Sequence, residues 1–136
     1  MVTETKIRVR YAETDTMGVV YYANYLVYME VGRVEYLREH GYAMSEVNQK
    51  VLLPVVETSC RYLKAAVLDD LLSVRTRVTE RKRMSFTFGY EVANVESGEL
   101  VATGHTRHAC WDPTSKTVIP IPEWLQAILP VDGAAT

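Results

Sequence analysis

The hydrophobic pattern changes period within the first forty residues. Lys6 to Tyr11, KIRVRY, alternates basic and apolar residues, the period of a strand, and places Ile7, Val9 and Tyr11 on one covered face. A polar loop with two acids, Glu13 and Asp15, and a glycine, Gly18, comes next. From about Asn24 to His40 there is no proline and no turn cluster, and Gly41 stands where a left-handed C-terminal cap is usual, so a helix is predicted there. Leu26, Met29, Val34 and Leu37 form a stripe at helical spacing. Tyr25, Val27, Tyr28, Val31 and Tyr36 point in other directions, which predicts a central helix covered on most sides.

After Gly41 the period returns to two. A connector, YAMSEVNQKV, has Ser45 as N-cap for a helical turn or two. Leu53 to Leu63 reads as a half-buried strand with Val56, Thr58, Cys60 and Tyr62 on one side, and Asp69-Asp70 marks a turn. In Leu71 to Thr79, Leu72, Val74, Thr76 and Val78 alternate with polar residues. A charged corner, Glu80 to Arg83, leads into a run where Phe86, Phe88, Tyr90 and Val92 share a face, so the two runs are expected to pair as a hairpin. A turn at Glu96-Ser97-Gly98 precedes a long strand from Leu100 to Asp112-Pro113, then a short strand TVIP. Pro122 is placed to open a short helix that docks through Trp124, Leu125 and Ile128, and VDGAAT, about residues 131–136, is expected to fray. Five or six antiparallel strands, one long helix and no βαβ repeat define an α+β arrangement in which the sheet curls around the helix, as one domain over residues 1–136.

Composition narrows the function. With 136 residues the chain buries enough surface to need neither disulfide nor metal, and a net charge of -2 gives no general attraction to nucleic acid. Cys60 and Cys110 sit in strand-like runs without C-x-x-C spacing, so reduced thiols and a cytoplasmic location are the expectation. No run approaches the length of a membrane span. G-x-S-x-G, G-x-G-x-x-G and P-loop motifs are absent. His40, His105 and His108 are read as ordinary helix-end and strand residues, the last two on opposite faces, and no metal site is expected.

The run Asp15-Thr-Met-Gly-Val-Val-Tyr-Tyr-Ala-Asn-Tyr-Leu, with Glu30 and Arg33 one to two turns on, resembles the hotdog-fold acyl-CoA thioesterases of the 4-hydroxybenzoyl-CoA thioesterase type, including the YbgC-like branch. The resemblance covers nearly the whole chain. Many YbgC-like members have a histidine where this chain has Tyr22, and the 4-hydroxybenzoyl-CoA type has an aromatic residue there, so both branches stay open. The resemblance implies a hotdog fold, an acyl-CoA substrate, no cofactor beyond the coenzyme A carried by the substrate, and a homodimer or homotetramer. It also implies that Asp15 is the catalytic carboxylate, that Gly18 shapes its loop, and that the backbone N–H of Tyr22 polarises the thioester carbonyl.

The residues alone are compatible with that assignment. A helix start offers free N–H groups and the positive end of a dipole to a developing oxyanion. Glu13 is expected to be solvated or salt-bridged and outside the chemistry, and Glu30 with Arg33 to form an ion pair that fixes the helix against the loop. Lys64, Arg81, Lys82 and Arg83 are the candidate cations for the coenzyme A phosphates. A hotdog hydratase or dehydratase is disfavoured by the absence of a histidine following Asp15 in the loop or the first helical turns, and a non-catalytic acyl-thioester binding module only by Asp15 itself. The acyl group, the choice between coenzyme A and acyl-carrier protein, and the choice between nucleophile and general base stay open.

Overall fold

A computed structural model describes residues 1–132. Strands β1 (Thr3–Arg8), β2 (Val55–Tyr62), β3 (Leu71–Arg81), β4 (Ser85–Asn94) and β5 (Leu100–Asp112) form one antiparallel sheet in the order β1-β3-β4-β5-β2, and β6 (Thr117–Ile119) pairs with the far end of β5. The β3–β4 hairpin has Val78 opposite Phe88 and Val74 opposite Val92, as the alternating pattern predicts. Helix α1 (Asn24–Glu39) lies on the inner face of the sheet, with α2 (Met44–Lys50) after it and α3 (Glu123–Gln126) near the C-terminus.

The core is the contact between one stripe of α1 and one face of the sheet. Tyr25, Tyr28, Met29, Gly32, Tyr36 and Leu37 are buried against Leu72, Val74, Phe86, Phe88, Tyr90 and Val92. Gly41, at φ +97°, ends α1 as expected, a conformation that glycine adopts without a Cβ penalty.

Four expectations change. The strand shifts back to Thr3–Arg8, and Tyr11 opens a single 3-10 turn (Tyr11–Glu13) with its ring 80% exposed. Helix α2 is capped by Ala43 rather than Ser45, because the Glu46 carboxylate reaches back to the Ala43 N–H at 3.3 Å. Strand β2 lies at a sheet edge and is exposed along nearly its whole length, so only Cys60 is half-buried. Helix α1 is covered on one side only: Leu26, Val27 and Val31 are exposed.

The C-terminal segment is partly anchored. Leu125 and Leu129 are fully buried, and the Arg81 guanidinium donates to the carbonyls of Gln126 and Leu129 at 3.0 and 2.9 Å. Val131 bridges Val78, the Asp132 N–H donates to the Val78 carbonyl at 2.8 Å, and the Asp132 carboxylate meets the N-terminal ammonium at 3.2 Å. Fraying is therefore not seen at residues 131 and 132, and residues 133–136 lie outside the described part. No described helix is long and apolar enough to cross a membrane.

Candidate active site

The loop between β1 and α1 is folded on itself by short-range bonds. The Asp15 N–H donates to the Val19 carbonyl at 2.8 Å, and the Gly18 N–H returns to the Asp15 carbonyl at 3.0 Å. That reversal requires Gly18 at φ +78°, which a side chain rarely adopts. The loop is pinned from outside as well. Val19 bridges Val67, and the Val20 N–H donates to the Ala66 carbonyl, which brings the segment after β2 alongside Asp15.

The Asp15 carboxylate is half-buried. Its Oδ1 accepts the Met17 N–H at 2.8 Å, an Asx-type bond that fixes the side chain, while Oδ2 accepts no hydrogen bond from a described residue. It opens on a hollow of about 380 Å³ lined also by Tyr21, Tyr22, Tyr25, Tyr62 and Lys64. Among the described residues the Tyr22 N–H has no acceptor, as the geometry of a helix start dictates. Thus Asp15, Tyr22 and Lys64 line one hollow, and Gly18 shapes the turn that carries Asp15.

Tyr62, expected only as a strand residue on one side of β2, is also a member of the site. Its hydroxyl donates to the Tyr22 carbonyl at 3.1 Å, and its ring packs edge-on to those of Tyr22 and Tyr25. Burial, reinforced by the neighbouring Cys60 thiol, raises its pKa to about 12, so it stays a phenol and a donor at neutral pH.

Arg81, Lys82 and Arg83 do not join this hollow. Arg81 is committed to the carbonyls of Gln126, at the end of α3, and Leu129 beyond it. Lys82 lines a larger hollow of about 630 Å³ on the sheet face turned away from α1, with Arg77, Arg107, His105 and Glu57 around it. Size does not make that groove the site: it lacks Asp15 and any helix start, and its mixed charges belong to a solvated sheet face. Lys64 pairs with Glu99 at 3.0 Å, both well exposed, so the ammonium is free to exchange partners.

Glu13 is salt-bridged, as one expected alternative had it, but it is not solvated. Only 8% of it is exposed. Burial by itself would raise its pKa, but the Arg10 N–H, the Tyr28 hydroxyl and the Arg10 guanidinium outweigh that, and the carboxyl sits below its ordinary value. The 3-10 turn carries it inward, away from the extended geometry that would set it beside Asp15.

Glu30 and Arg33 do pair, at 3.7 Å, yet they do not brace the loop. Arg33 lines a separate cavity of about 320 Å³ with Val34, Leu53, Phe88 and His108. His105 and His108 face opposite ways, as strand spacing requires. His105 is half-buried between Ser59 and Glu57, whereas His108 is 1% exposed, bonded to Thr106 and to the Leu53 carbonyl. Burial lowers its pKa to about 4 despite the Leu53 carbonyl, so the ring is neutral. Cys60 and Cys110 are free thiols, and burial pushes Cys110 up to about 11.

An antiparallel sheet laid over one long helix, with a carboxylate loop at the helix start, is the architecture of the hotdog-fold thioesterases. The chain belongs to the thioesterase-like superfamily, whose family model matches residues 9–129. It is 39% identical over 115 residues to a putative acyl-CoA thioesterase, YneP, of Bacillus subtilis, covering 84% of this chain and 83% of that one. Among solved structures, a hypothetical protein from Thermus thermophilus superposes with a TM-score of 0.86 at 38% identity, covering 94% of this chain and 95% of that one. The DHNA-CoA thioesterase of Staphylococcus aureus superposes with a TM-score of 0.85 at 33% identity, over 93% and 87% of the two chains.

Proposed function

We propose that the protein is an acyl-CoA thioesterase that hydrolyses small aromatic or short-chain acyl-CoA thioesters. The observation that carries this reading is one hollow holding both a carboxylate oxygen, on Asp15, and an N–H, at Tyr22, that have no hydrogen-bond partner among the described residues. The Tyr22 N–H, at the positive end of the α1 dipole, stabilises the oxyanion that develops when the thioester carbonyl is attacked. Asp15 supplies the other half. As nucleophile it forms an acyl-aspartyl anhydride and expels the coenzyme A thiolate, and water then cleaves the anhydride. As general base it takes a proton from the attacking water, and the tetrahedral intermediate collapses with the same leaving group. Coenzyme A enters only as part of the substrate, and no other cofactor has a role.

Lys64 is the one Lys or Arg among the residues lining the hollow, and in this reading it meets a phosphate of the substrate in exchange for Glu99. The aromatic side chains of Tyr21, Tyr22, Tyr25 and Tyr62 suit an aryl acid, and the likeness to a DHNA-CoA thioesterase supports an aromatic substrate. A second copy of the chain also belongs to this reading, as a homodimer or a dimer of dimers. The exposed Leu26, Val27 and Val31 on α1, and the unpaired edge of β2, are the surfaces it would cover.

A panel of aryl and short-chain acyl-CoA thioesters, assayed with a thiol-trapping dye, tests the reaction. Release of free coenzyme A thiol with turnover supports hydrolysis. Loss or gain of an enoyl chromophore without thiol release would indicate a hydratase, and binding without either change a non-catalytic module.

A further inference from the structure

We propose that Glu13 is the positioning residue of the catalytic loop, acting with Tyr28 through a buried hydrogen-bond chain that sets Asp15 against the Tyr22 N–H. The inference rests on the reading of Asp15 as the catalytic carboxylate.

Every acceptor of Glu13 is occupied. Its Oε1 accepts the Arg10 N–H and the Tyr28 hydroxyl, both at 2.9 Å. Its Oε2 accepts Arg10 Nε and Nη2, both at 3.0 Å. Its backbone carbonyl accepts the Tyr21 N–H and the Asn24 Nδ2, again at 2.9 Å. The residue thereby joins three pieces: the end of β1 through Arg10, the start of α1 through Asn24, and the core through Tyr28, which is 1% exposed on the inner stripe of the helix.

Glu13 does no chemistry itself, since no carboxylate oxygen is left free for a substrate. Its effect is geometric. It lies two residues before Asp15, and its carbonyl holds the N–H of the residue immediately before Tyr22. The buried side chain anchors the turn that leads to Asp15, and the carbonyl of the same residue holds the start of α1 beside Tyr22, so both partners of the proposed oxyanion chemistry depend on Glu13 keeping its place. The carboxylate form is required because its neighbours on both oxygens are donors. Glutamine would turn its NH₂ toward donors already in place and leave the chain unsatisfied. Displacement of reacting groups by about 1 Å costs on the order of a hundredfold in rate.

The test is a double-mutant cycle on turnover, with Glu13→Gln, Tyr28→Phe and the double variant, each assayed as folded protein beside Asp15→Asn. Tyr28→Phe removes one oxygen and keeps the ring, so it serves where Glu13→Gln folds poorly. The expected result is that kcat falls roughly tenfold or more in each single variant, KM changes little, and the double variant is no worse than the poorer single one, the non-additivity of residues acting as a unit. A purely structural role would lower the melting temperature and leave kcat per folded molecule unchanged. Wild-type kcat in both single variants, or losses that multiply in the double variant, would overturn the inference while an inactive Asp15→Asn left the catalytic reading standing. Near-normal turnover by Asp15→Asn would remove the catalytic reading and this inference together.

Discussion

Gly32 of α1 passes so close to Thr76 of β3 that a Cβ on the glycine would lie 2.5 Å from the Thr76 hydroxyl oxygen and 2.9 Å from a methyl of Val74. The helix reaches the sheet at this point because the residue has no side chain. Gly32→Ala gains helix propensity of up to about 1 kcal/mol but must push the helix off the sheet. The net expectation is a loss on the order of 1–2 kcal/mol, the scale of an overpacked core, read as a lower urea midpoint with an unchanged m-value. The Thr76 hydroxyl is buried and has no partner among the described residues, so Thr76→Val is expected to leave stability unchanged or raise it by up to about 1 kcal/mol in the same titration.

His108 makes stability depend on pH in a defined window. Its pKa is lowered from 6.5 to about 4, so between those values the unfolded chain binds a proton that the folded chain does not. Stability is therefore constant with respect to this group above pH 6.5 and falls as pH drops toward 4, by on the order of 3 kcal/mol. Glu13 acts in the opposite sense of charge and lower on the scale. Its depressed carboxyl contributes above the ordinary value of 4.5, and that contribution is lost as pH falls through the folded value. Replacing His108 with Gln is expected to flatten the slope between pH 6.5 and 4 in thermal melts. An unchanged slope would locate the proton uptake elsewhere.

Lys64→Ala is expected to raise KM for acyl-CoA roughly three- to tenfold, the worth of about 1 kcal/mol of charge-assisted contact, with little change in kcat. The dependence of KM on salt should weaken at the same time. Arg81→Ala serves as the contrast. It should lower the melting temperature, because the carbonyls of Gln126 and Leu129 lose their donor, while KM holds.

Val31→Asp places a charge on the exposed apolar side of α1. If that side is the contact between copies, sedimentation should show the wild type as a dimer or larger at micromolar concentration and the variant shifted toward monomer, with activity falling in parallel. A fully active wild-type monomer would refute the second copy as part of the working enzyme.

The parts of this site that were readable from the residues are those set by local chemistry. Gly18 follows from the need for a positive φ and the extent of α1 from Asn24 to the Gly41 cap, whereas Asp15 was singled out by the family resemblance and not by its turn. What distant strands decide was not readable. Lys64 reaches the hollow because Val19 bridges Val67, a pairing across almost fifty residues that no local pattern encodes. Glu13 appeared a loop acid because burial of a charge leaves no periodic trace, and its partner Tyr28 looked like any apolar helix position. The apolar residues around α1 report how much surface is to be covered. They do not report that this chain covers only one side.

In the proposed mechanism Asp15 carries the reaction, and kcat of Asp15→Asn on the best acyl-CoA substrate tests that role. The substitution keeps the size and turn chemistry of the residue and removes its charge. The expected outcome is a folded variant that still binds substrate and turns it over at least about a hundredfold more slowly. Near wild-type kcat from a variant with an unchanged melting temperature would contradict it.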